Sequence, residues 1–300
     1  MSTTPAAPPH AHGRHEPGPS LPPAVPLTMD GSAVLHQMFR FRRADWNKLS
    51  GEKRAAFAEE AVQLFARMEQ APGGGSALFS QLGHKGDLLL VHFRESFEDV
   101  NEAELQIASL GLNEYLEPTT SYVSTVELGL YASSVQLYNK LSADGVEPGS
   151  PEWQNAEQEK LAEQKAAMKD RLHPAVPPHR YVCFYPMDKK RGERNNWYSE
   201  SIEERARMMR DHGMIGRKYA GKVKQIISGS IGFDDWEWGV DLFADDPLVF
   251  KQLIYEMRFD EASALYALFG PFYLGIRIPS QELTAFLAGK RPAYGAPAGE

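Results

Sequence analysis

Residues 225–243 read QIISGSIGFDDWEWGVDLF, and residues 76–93 read SALFSQLGHKGDLLLVHF. Each stretch holds an apolar strand pattern, a turn that contains glycine and an acidic residue, and a second strand pattern. A helical pattern follows each stretch along the chain. The two stretches therefore predict the same hairpin at two places, and this internal repeat is the main evidence for the fold.

The repeat extends outward from both hairpins. The second half predicts strands and helices in the order strand 179–186, helix 199–213, strands 222–230 and 235–243, helix 246–257, short helix 260–268 and strand 271–278. The first half predicts strand 34–41, helix 51–69, strands near 77–82 and 87–93, helix 99–116 and strand 121–131. The order βαββαβ occurs twice, which indicates an α+β protein with tandem ferredoxin-like repeats of the dimeric α+β barrel type. We expect antiparallel sheets packed face to face, outer helices, and a ligand cavity at one end between the sheets.

The predicted units are separated by segments of different composition. Eight of the 21 prolines lie within residues 1–26, so 1–30 is predicted to be a disordered Pro-rich tail. Residues 31–131 form the predicted N-terminal ferredoxin-like unit, and 179–280 form the C-terminal one. The connecting segment 132–178 carries a predicted surface helix that begins at Ser150 and Pro151. Residues 281–300 are predicted to be a C-terminal tail.

Composition excludes several classes of protein. The 300 residues carry a net charge of −8, which argues against a nucleic-acid partner. No apolar run is long enough for a membrane span. The single cysteine, Cys183, cannot form an intramolecular disulfide, and the N-terminus lacks the apolar core of a secretory signal, so we expect a cytoplasmic protein. Standard motifs for a nucleophile elbow, a P-loop or an HExxH zinc site are missing.

Two features of the second half could carry chemistry. In helix 199–213, Ile202, Arg205, Met208, Met209 and His212 share one face at helical spacing. His212 is either a C-terminal cap of this helix or an axial heme ligand beside an apolar pocket. After strand 179–186, a basic cluster surrounds Tyr185, and it is either a solvated loop or a site for an anionic ligand beneath the phenol. The cluster contains Lys189, Lys190, Arg191 and Arg194, with Arg171 and Arg258 added from elsewhere.

Five motifs occur in the order YPMDKKR (185–191), NWY (196–198), EERARMMRDHGMIGR (203–217), DDWEWG (234–239) and YEMRFDEASA (255–264). This combination resembles the coproheme decarboxylases, the HemQ type of the chlorite dismutase superfamily. The resemblance is close over about 120–278 and looser over 30–120. It implies homopentamers that use hydrogen peroxide to convert two propionates of iron coproporphyrin III (coproheme) to vinyl groups. The implied product is heme b, and a tyrosyl radical is the implied oxidant of the propionate.

The resemblance also implies roles for individual residues. His212 would be the proximal iron ligand, Gln225 the distal residue, Tyr185 the redox-active phenol, and Lys189 an aid to the second decarboxylation. Arg171, Met187 and Ser263 match positions that contact the substrate, and Arg258 would lie near the propionates. Pro186 and Asp188 complete the predicted binding set within YPMDKKR. A ferrochelatase that makes coproheme would be a transient partner.

Two positions depart from the pattern of chlorite-decomposing relatives. Those relatives have arginine thirteen residues after the histidine, where this chain has Gln225. They also place a carboxylate near the proximal imidazole, and the corresponding spacing leads here to Ala262, beside Glu261. Two other functions remain as alternatives: another heme enzyme of the superfamily, such as a chlorite dismutase or peroxidase, and a non-catalytic heme carrier.

Overall fold

Eight antiparallel strands close into a barrel in the computed structural model, which describes residues 24–294. The first unit consists of β1 (Thr28–Phe41), α1 (Arg43–Trp46), α2 (Gly51–Glu69), β2 (Gly75–Gln81), β3 (Leu88–Arg94), α3 (Phe97–Ala108) and β4 (Leu116–Gly129). The connecting helices are α4 (Tyr131–Ala143), α5 (Pro151–Ala167) and α6 (Lys169–Leu172). The second unit consists of β5 (Tyr181–Lys189), α7 (Ile202–Arg217), β6 (Lys224–Gly229), β7 (Trp238–Ala244), α8 (Leu248–Met257), α9 (Glu261–Tyr266), β8 (Ala267–Phe269) and β9 (Tyr273–Ile278). A last helix, α10 (Leu283–Leu287), follows.

The two units have the same strand order. In each, the last strand pairs with the first, the first with the third, and the third with the second, giving β4-β1-β3-β2 and β9-β5-β7-β6, and the short β8 of the second unit adds to β5. The predicted α+β fold with two ferredoxin-like units is therefore confirmed. The predicted face-to-face sheets are joined at both edges, because β4 pairs with β6 and β2 pairs with β9. This edge pairing satisfies backbone groups that separate sheets would leave exposed.

The interior of the barrel is a packed core to which both units contribute. Its largest buried side chains include Phe79, Phe93, Phe184 and Phe243. His36 from β1 and Asp241 from β7 also meet inside, with Nε2 of the imidazole 2.9 Å from Oδ1 of the carboxylate. Both side chains are fully buried, so this polar pair joins the two units within an apolar core.

Helices cover the outer face of the barrel. Helix α2, the first helix of the first unit, begins where the Ser50 hydroxyl accepts a hydrogen bond from the Lys53 backbone N–H. Its apolar side packs closely on the first unit's sheet through Ala58, Ala61, Leu64, Phe65 and Met68. Helix α7 is the equivalent helix of the second unit, and it covers its sheet less completely, as described below.

The structure differs from the sequence predictions at three boundaries. Residues 281–294 include α10, whose Leu283, Phe286 and Leu287 are buried in the core under α2, so this part of the predicted tail belongs to the fold. Strand β1 begins at Thr28, since it pairs with β4 as far as Gly129, and residues 1–23 of the predicted Pro-rich tail lie outside the described residues. Helix α4 was not predicted in the connecting segment, whereas α5 begins at Ser150 and Pro151 as predicted.

Helix α7 is also shifted along the chain, because it begins at Ile202 instead of residue 199 and ends at Arg217 instead of residue 213. Gly213 does not adopt the positive φ with which glycine often ends a helix, so the helix continues through it. His212 therefore lies within the helix, and the interpretation of His212 as a C-terminal cap is wrong. None of the helices between residues 24 and 294 combines the length and the apolar character that crossing a membrane requires.

Candidate functional site

A cavity of about 1450 Å³ lies between helix α7 and the outer face of the second unit's sheet. The sequence predicted a cavity between the two sheets, and that prediction is wrong because large side chains fill the barrel interior. Side chains alternate along β5. Phe184 points into the barrel, whereas Tyr185, Met187 and Lys189 line the cavity on the other face.

His212 lines this cavity from α7, and a carboxylate fixes the imidazole. Its Nδ1 atom lies 2.9 Å from Oδ2 of Asp260, the residue that caps the N-terminus of α9. The Ser263 hydroxyl donates to the same carboxylate oxygen at 3.1 Å, and the Ser263 backbone N–H donates to Oδ1 at 2.9 Å. With Nδ1 bonded in this way, Nε2 is the imidazole nitrogen left for a ligand.

Asp260 was not predicted as a site residue. The spacing used for the proximal carboxylate led to Ala262, two positions further along the chain. Burial by itself would raise the pKa of Asp260, but hydrogen bonds and charge from His212, with hydrogen bonds from Ser263, hold it below its usual range. The sequence signal was an aspartate three residues before a serine at the start of a short helix, which is typical of a cap and does not by itself indicate a site.

Tyr185 lies in the floor of the cavity and is 4% exposed. The ring packs against Phe272, with 4.6 Å between the ring centroids, and against Phe269. Burial raises the pKa of the phenol well above its usual value. The O–H bond therefore stays intact at neutral pH, which a donor of hydrogen atoms requires.

Lys189 follows four residues after Tyr185 on the same face of β5, about 13 Å along the strand. Its ammonium group is buried, donates to the carbonyl of Ala262 at 3.2 Å, and lies 4.3 Å from the centroid of the Trp197 ring. Burial lowers the pKa of Lys189 to about 8, although Asp260 and Glu237 oppose this shift. The side chain makes no ion pair with a carboxylate within residues 24–294, so its charge is available to an anionic ligand.

The other predicted residues divide into two groups. Arg171, Met187, Gln225 and Ser263 line the cavity together with His212, Tyr185 and Lys189. Pro186, Asp188 and Arg258 are not among the residues that line it. Asp188 accepts the backbone N–H of Glu237, and the guanidinium of Arg258 stacks over the ring of Phe269 at 3.8 Å.

The acidic turn between β6 and β7 has a structural role. Asp234 accepts the backbone N–H of Val123 at 2.9 Å, and Glu237 accepts that of Lys189 at 2.8 Å. These bonds tie the turn to β4 and to β5. No group of three or more histidine, cysteine or acidic side chains suited to a metal ion occurs in the part of the chain that the structure describes.

The cavity is also lined by residues that the sequence did not single out as part of a site. Residues 24–28, just before and at the start of β1, line part of the cavity through Val25, Pro26 and Thr28, and we call them the strap. Arg205 of α7 donates to the carbonyl of Ala24, and Tyr138 of α4 donates to that of Val25. Nothing in the local sequence of the strap distinguishes it from the Pro-rich stretch before it, so its position depends on these long-range contacts.

Comparisons with known proteins agree with this geometry. A protein from Haloquadratum walsbyi that is named for heme binding is 42% identical over 272 residues, which cover 89% of this chain and 48% of the relative. The chain thus spans about half the length of this relative. A solved structure of a heme-binding protein from Thermus thermophilus is 39% identical, with a TM-score of 0.75 over 89% of this chain and 99% of the other.

More distant structures share the fold. A variant chlorite dismutase from Candidatus Nitrospira defluvii superposes with a TM-score of 0.63 at 18% identity, covering 86% of this chain and 96% of the other. The family model described as chlorite dismutase matches residues 54–278, which include most of both ferredoxin-like units and the residues around His212. On this match, which covers more than half of its residues, the chain belongs to the chlorite dismutase family.

Proposed function

We propose that the cavity binds an iron porphyrin with Nε2 of His212 as the axial ligand. The donor chemistry fits this group, because a neutral imidazole whose Nδ1 bonds to a carboxylate is a common iron ligand. The shape fits as well, since Gly213 and Gly216 present no side chains beside His212 in the cavity wall. Both heme-named relatives support the same group.

The walls also match a flat, largely apolar ligand with charged edges. Val240, Ile227, Ile254 and Met257 form an apolar floor and side, and the volume exceeds the roughly 300–1,000 Å³ of pockets for small ligands. Basic side chains lie around this surface, among them Arg171, Lys189 and Arg217. Carboxylate substituents on a porphyrin would find partners there.

We further propose that the substrate is iron coproporphyrin III and that the reaction produces heme b. One observation carries this proposal: a buried phenol, Tyr185, and a buried lysine, Lys189, share one cavity wall that faces the helix of His212. A heme carrier needs neither group. The resemblance to coproheme decarboxylases makes Tyr185 the redox-active phenol and Lys189 an aid to the second decarboxylation.

The chemistry balances with hydrogen peroxide as the oxidant. Each propionate, with one peroxide and one proton, gives one vinyl group, one carbon dioxide and two waters. The iron of the substrate, with peroxide, supplies the oxidising equivalents, because no base can remove a hydrogen from an unactivated β-carbon at neutral pH. Tyr185 would give its phenolic hydrogen atom, as an electron and a proton, to the substrate oxidised by peroxide, and would then take a hydrogen atom from the β-carbon of the propionate. Loss of carbon dioxide and of a second electron, which would reduce the remaining oxidising equivalent of the peroxide, would leave the vinyl group.

Lys189 positions a propionate for this step. A carboxylate beside the ammonium would stabilise its charged form, and the ion pair would fix the orientation of the porphyrin along the wall that also holds Tyr185. Orientation of this kind accounts for large rate effects when it brings reacting atoms within contact distance. A homopentamer and a transient contact with ferrochelatase belong to the same proposal and rest on the family resemblance. A cytoplasmic location is proposed with them and rests on the single cysteine.

The experiment that tests this function is a titration of coproheme-loaded protein with hydrogen peroxide. Pigments separated by chromatography and weighed by mass spectrometry should show a three-propionate intermediate and then heme b. Coproheme that is bleached or left unchanged would overturn the decarboxylase proposal. His212→Ala should bind coproheme much more weakly or with a different absorption spectrum, and an unchanged spectrum would remove His212 from the iron.

A further inference from the structure

Arg205 is a buried cation in the cavity wall. It lies on α7 two helical turns before His212, so both residues occupy the same face of the helix. The side chain is 5% exposed, and its one hydrogen bond within residues 24–294 runs from Nη2 to the carbonyl of Ala24 at 2.5 Å. Its Nε atom is buried without a partner in that part of the chain. A guanidinium has five N–H donors, so most of its bonding capacity is unused.

The neighbouring Arg207 shows what a satisfied arginine looks like on this helix. Its guanidinium bonds to Glu204, to Asp211 at 3.3 Å and to Glu261 at 2.5 Å, and it is considerably more exposed. Arg205 has no carboxylate partner among residues 24–294. A buried positive charge without a partner is unfavourable, and proteins usually pair such a charge. The difference between the two arginines indicates that the surroundings of Arg205 are suited to an anion.

The surroundings of Arg205 favour a carboxylate of the ligand. Val25 and Pro26 of the strap line the cavity, as do Tyr131 and Arg205. Because Arg205 is itself 5% exposed, a carboxylate that pairs with its guanidinium loses water, which strengthens a charge-assisted hydrogen bond. The planar guanidinium can donate two parallel N–H bonds to one carboxylate.

We propose that Arg205 binds one carboxylate of the porphyrin in the part of the cavity that the strap lines. This inference rests on the proposed function, since it takes a porphyrin with several carboxylates as the ligand. A purely structural role, in which Arg205 only anchors the strap, is the competing explanation. The two roles differ in their dependence on the charge of the ligand.

The test uses iron-free coproporphyrin III and its tetramethyl ester, with affinities measured by fluorescence titration of the full chain. Binding without iron removes the contribution of His212. Arg205→Gln should weaken the binding of the acid by about tenfold or more, as expected for loss of a hydrogen bond to a charged group, and leave the binding of the ester unchanged. Arg205→Lys, which keeps the charge, should recover part of the affinity. Arg67→Gln, which removes an exposed arginine of the equivalent helix α2 outside the cavity, is the matched control and should leave the affinity for both porphyrins near that of the parent chain.

Three results would overturn the proposal: parent-like affinity of Arg205→Gln for the acid, an equal loss for the acid and the ester, and failure of the parent chain to bind the acid. If Arg205→Gln does not fold, Arg205→Lys provides the test. Weaker binding of the acid with unchanged binding of the ester supports the proposal, and unchanged binding of the acid overturns it. A chain that binds coproporphyrin through Arg205 but forms no heme b from coproheme and peroxide would contradict the proposed function and leave this inference intact.

Discussion

The Nδ1 atom of His212 lies 2.9 Å from Oδ2 of Asp260, although 48 positions separate the two residues in the chain. The contact joins helix α7 to the first residue before α9, and Ser263 holds the carboxylate in place from the same cap. A carboxylate in this position orients the imidazole and makes its free nitrogen a stronger electron donor.

Asp260→Asn is expected to raise the reduction potential of bound iron. The amide keeps the cap of α9, because asparagine is also a favoured cap residue, but it removes the negative charge beside the imidazole. Iron-porphyrin affinity or activity should fall by roughly 10- to 100-fold. Redox titration of the bound iron is the measurement, and Glu261→Gln, which affects a carboxylate paired with Arg207, is the control. An unchanged potential would show that Asp260 does not act on the iron.

Tyr185→Phe is expected to fold and bind coproheme but to form neither the three-propionate intermediate nor heme b. The ring and its packing against Phe272 remain, while the oxidisable O–H is lost. Product analysis after addition of peroxide measures the effect. Tyr198→Phe, which removes another phenol that lines the cavity, should still give heme b. Heme b formation by Tyr185→Phe at the parent rate would transfer the role to another phenol, with Tyr198 tested first and Tyr181 next.

Lys189→Met is expected to raise the thermal stability of the ligand-free protein at pH 7. The pKa of Lys189 is about 8 in the folded chain and has its usual value near 10.5 when unfolded, so below pH 8 folding buries a charge at a cost. Between about pH 8 and 10.5 the unfolded chain binds more protons than the folded one, so the free energy of unfolding of the parent chain rises with pH. The advantage of Lys189→Met should therefore shrink across this range in melting curves. A constant difference from about pH 6 to 10 would contradict the lowered pKa.

Chlorite is expected to be decomposed slowly or not at all by the iron-porphyrin form of this protein. Gln225 lines the cavity with a neutral amide, whereas a fixed positive charge is needed to hold an anionic oxychlorine species. An oxygen electrode measures the reaction. Gln225→Arg should evolve oxygen faster than the parent chain. Rapid oxygen evolution by the parent chain would favour the chlorite dismutase alternative.

Asp241→Leu is expected to destabilise the protein by about 3–5 kcal/mol, because it leaves His36 buried without its partner. Replacing both residues, as in His36→Leu with Asp241→Leu, should restore much of the loss, since apolar pairs often substitute for buried polar ones. Denaturant titration of the parent chain and the two variants measures their free energies of unfolding. Equal stability of the single variant and the parent would show that the pair contributes little.

The sequence predicted most of the fold because its evidence is local. Alternating strand patterns, the Ser50 and Ser150 caps and the repeated hairpins all depend on residues close in the chain. Closure of the barrel through β4–β6 and β2–β9 is a pairing between distant strands, and no local pattern encodes it. The predicted cavity was placed on the wrong side of the sheet for the same reason.

The site could be predicted where residues share a strand or helix, and less well elsewhere. Tyr185, Met187 and Lys189 occupy every second position of β5, so their spacing predicts that their side chains lie on the same face of the strand. Asp260 reaches His212, and the strap reaches the cavity, through tertiary contacts. The unpaired charge of Arg205 appears only when every nearby carboxylate of the described residues is located. The positions of such residues depend on contacts between distant parts of the chain, which no local sequence pattern encodes.

The equivalent helices α2 and α7 differ in how far their packing against the sheet depends on a bound ligand. Under α2 the first unit completes its own core with side chains such as Phe65, whereas α7 spans about 1450 Å³ that no side chain of the described residues fills. A molecule that occupies this space supplies contacts that the chain lacks, and its binding stabilises the folded state. Once the free concentration of the molecule exceeds its dissociation constant, the free energy of unfolding rises with the logarithm of that concentration. Where unfolded chains are degraded, the amount of this protein that persists would then follow the supply of the molecule that it binds.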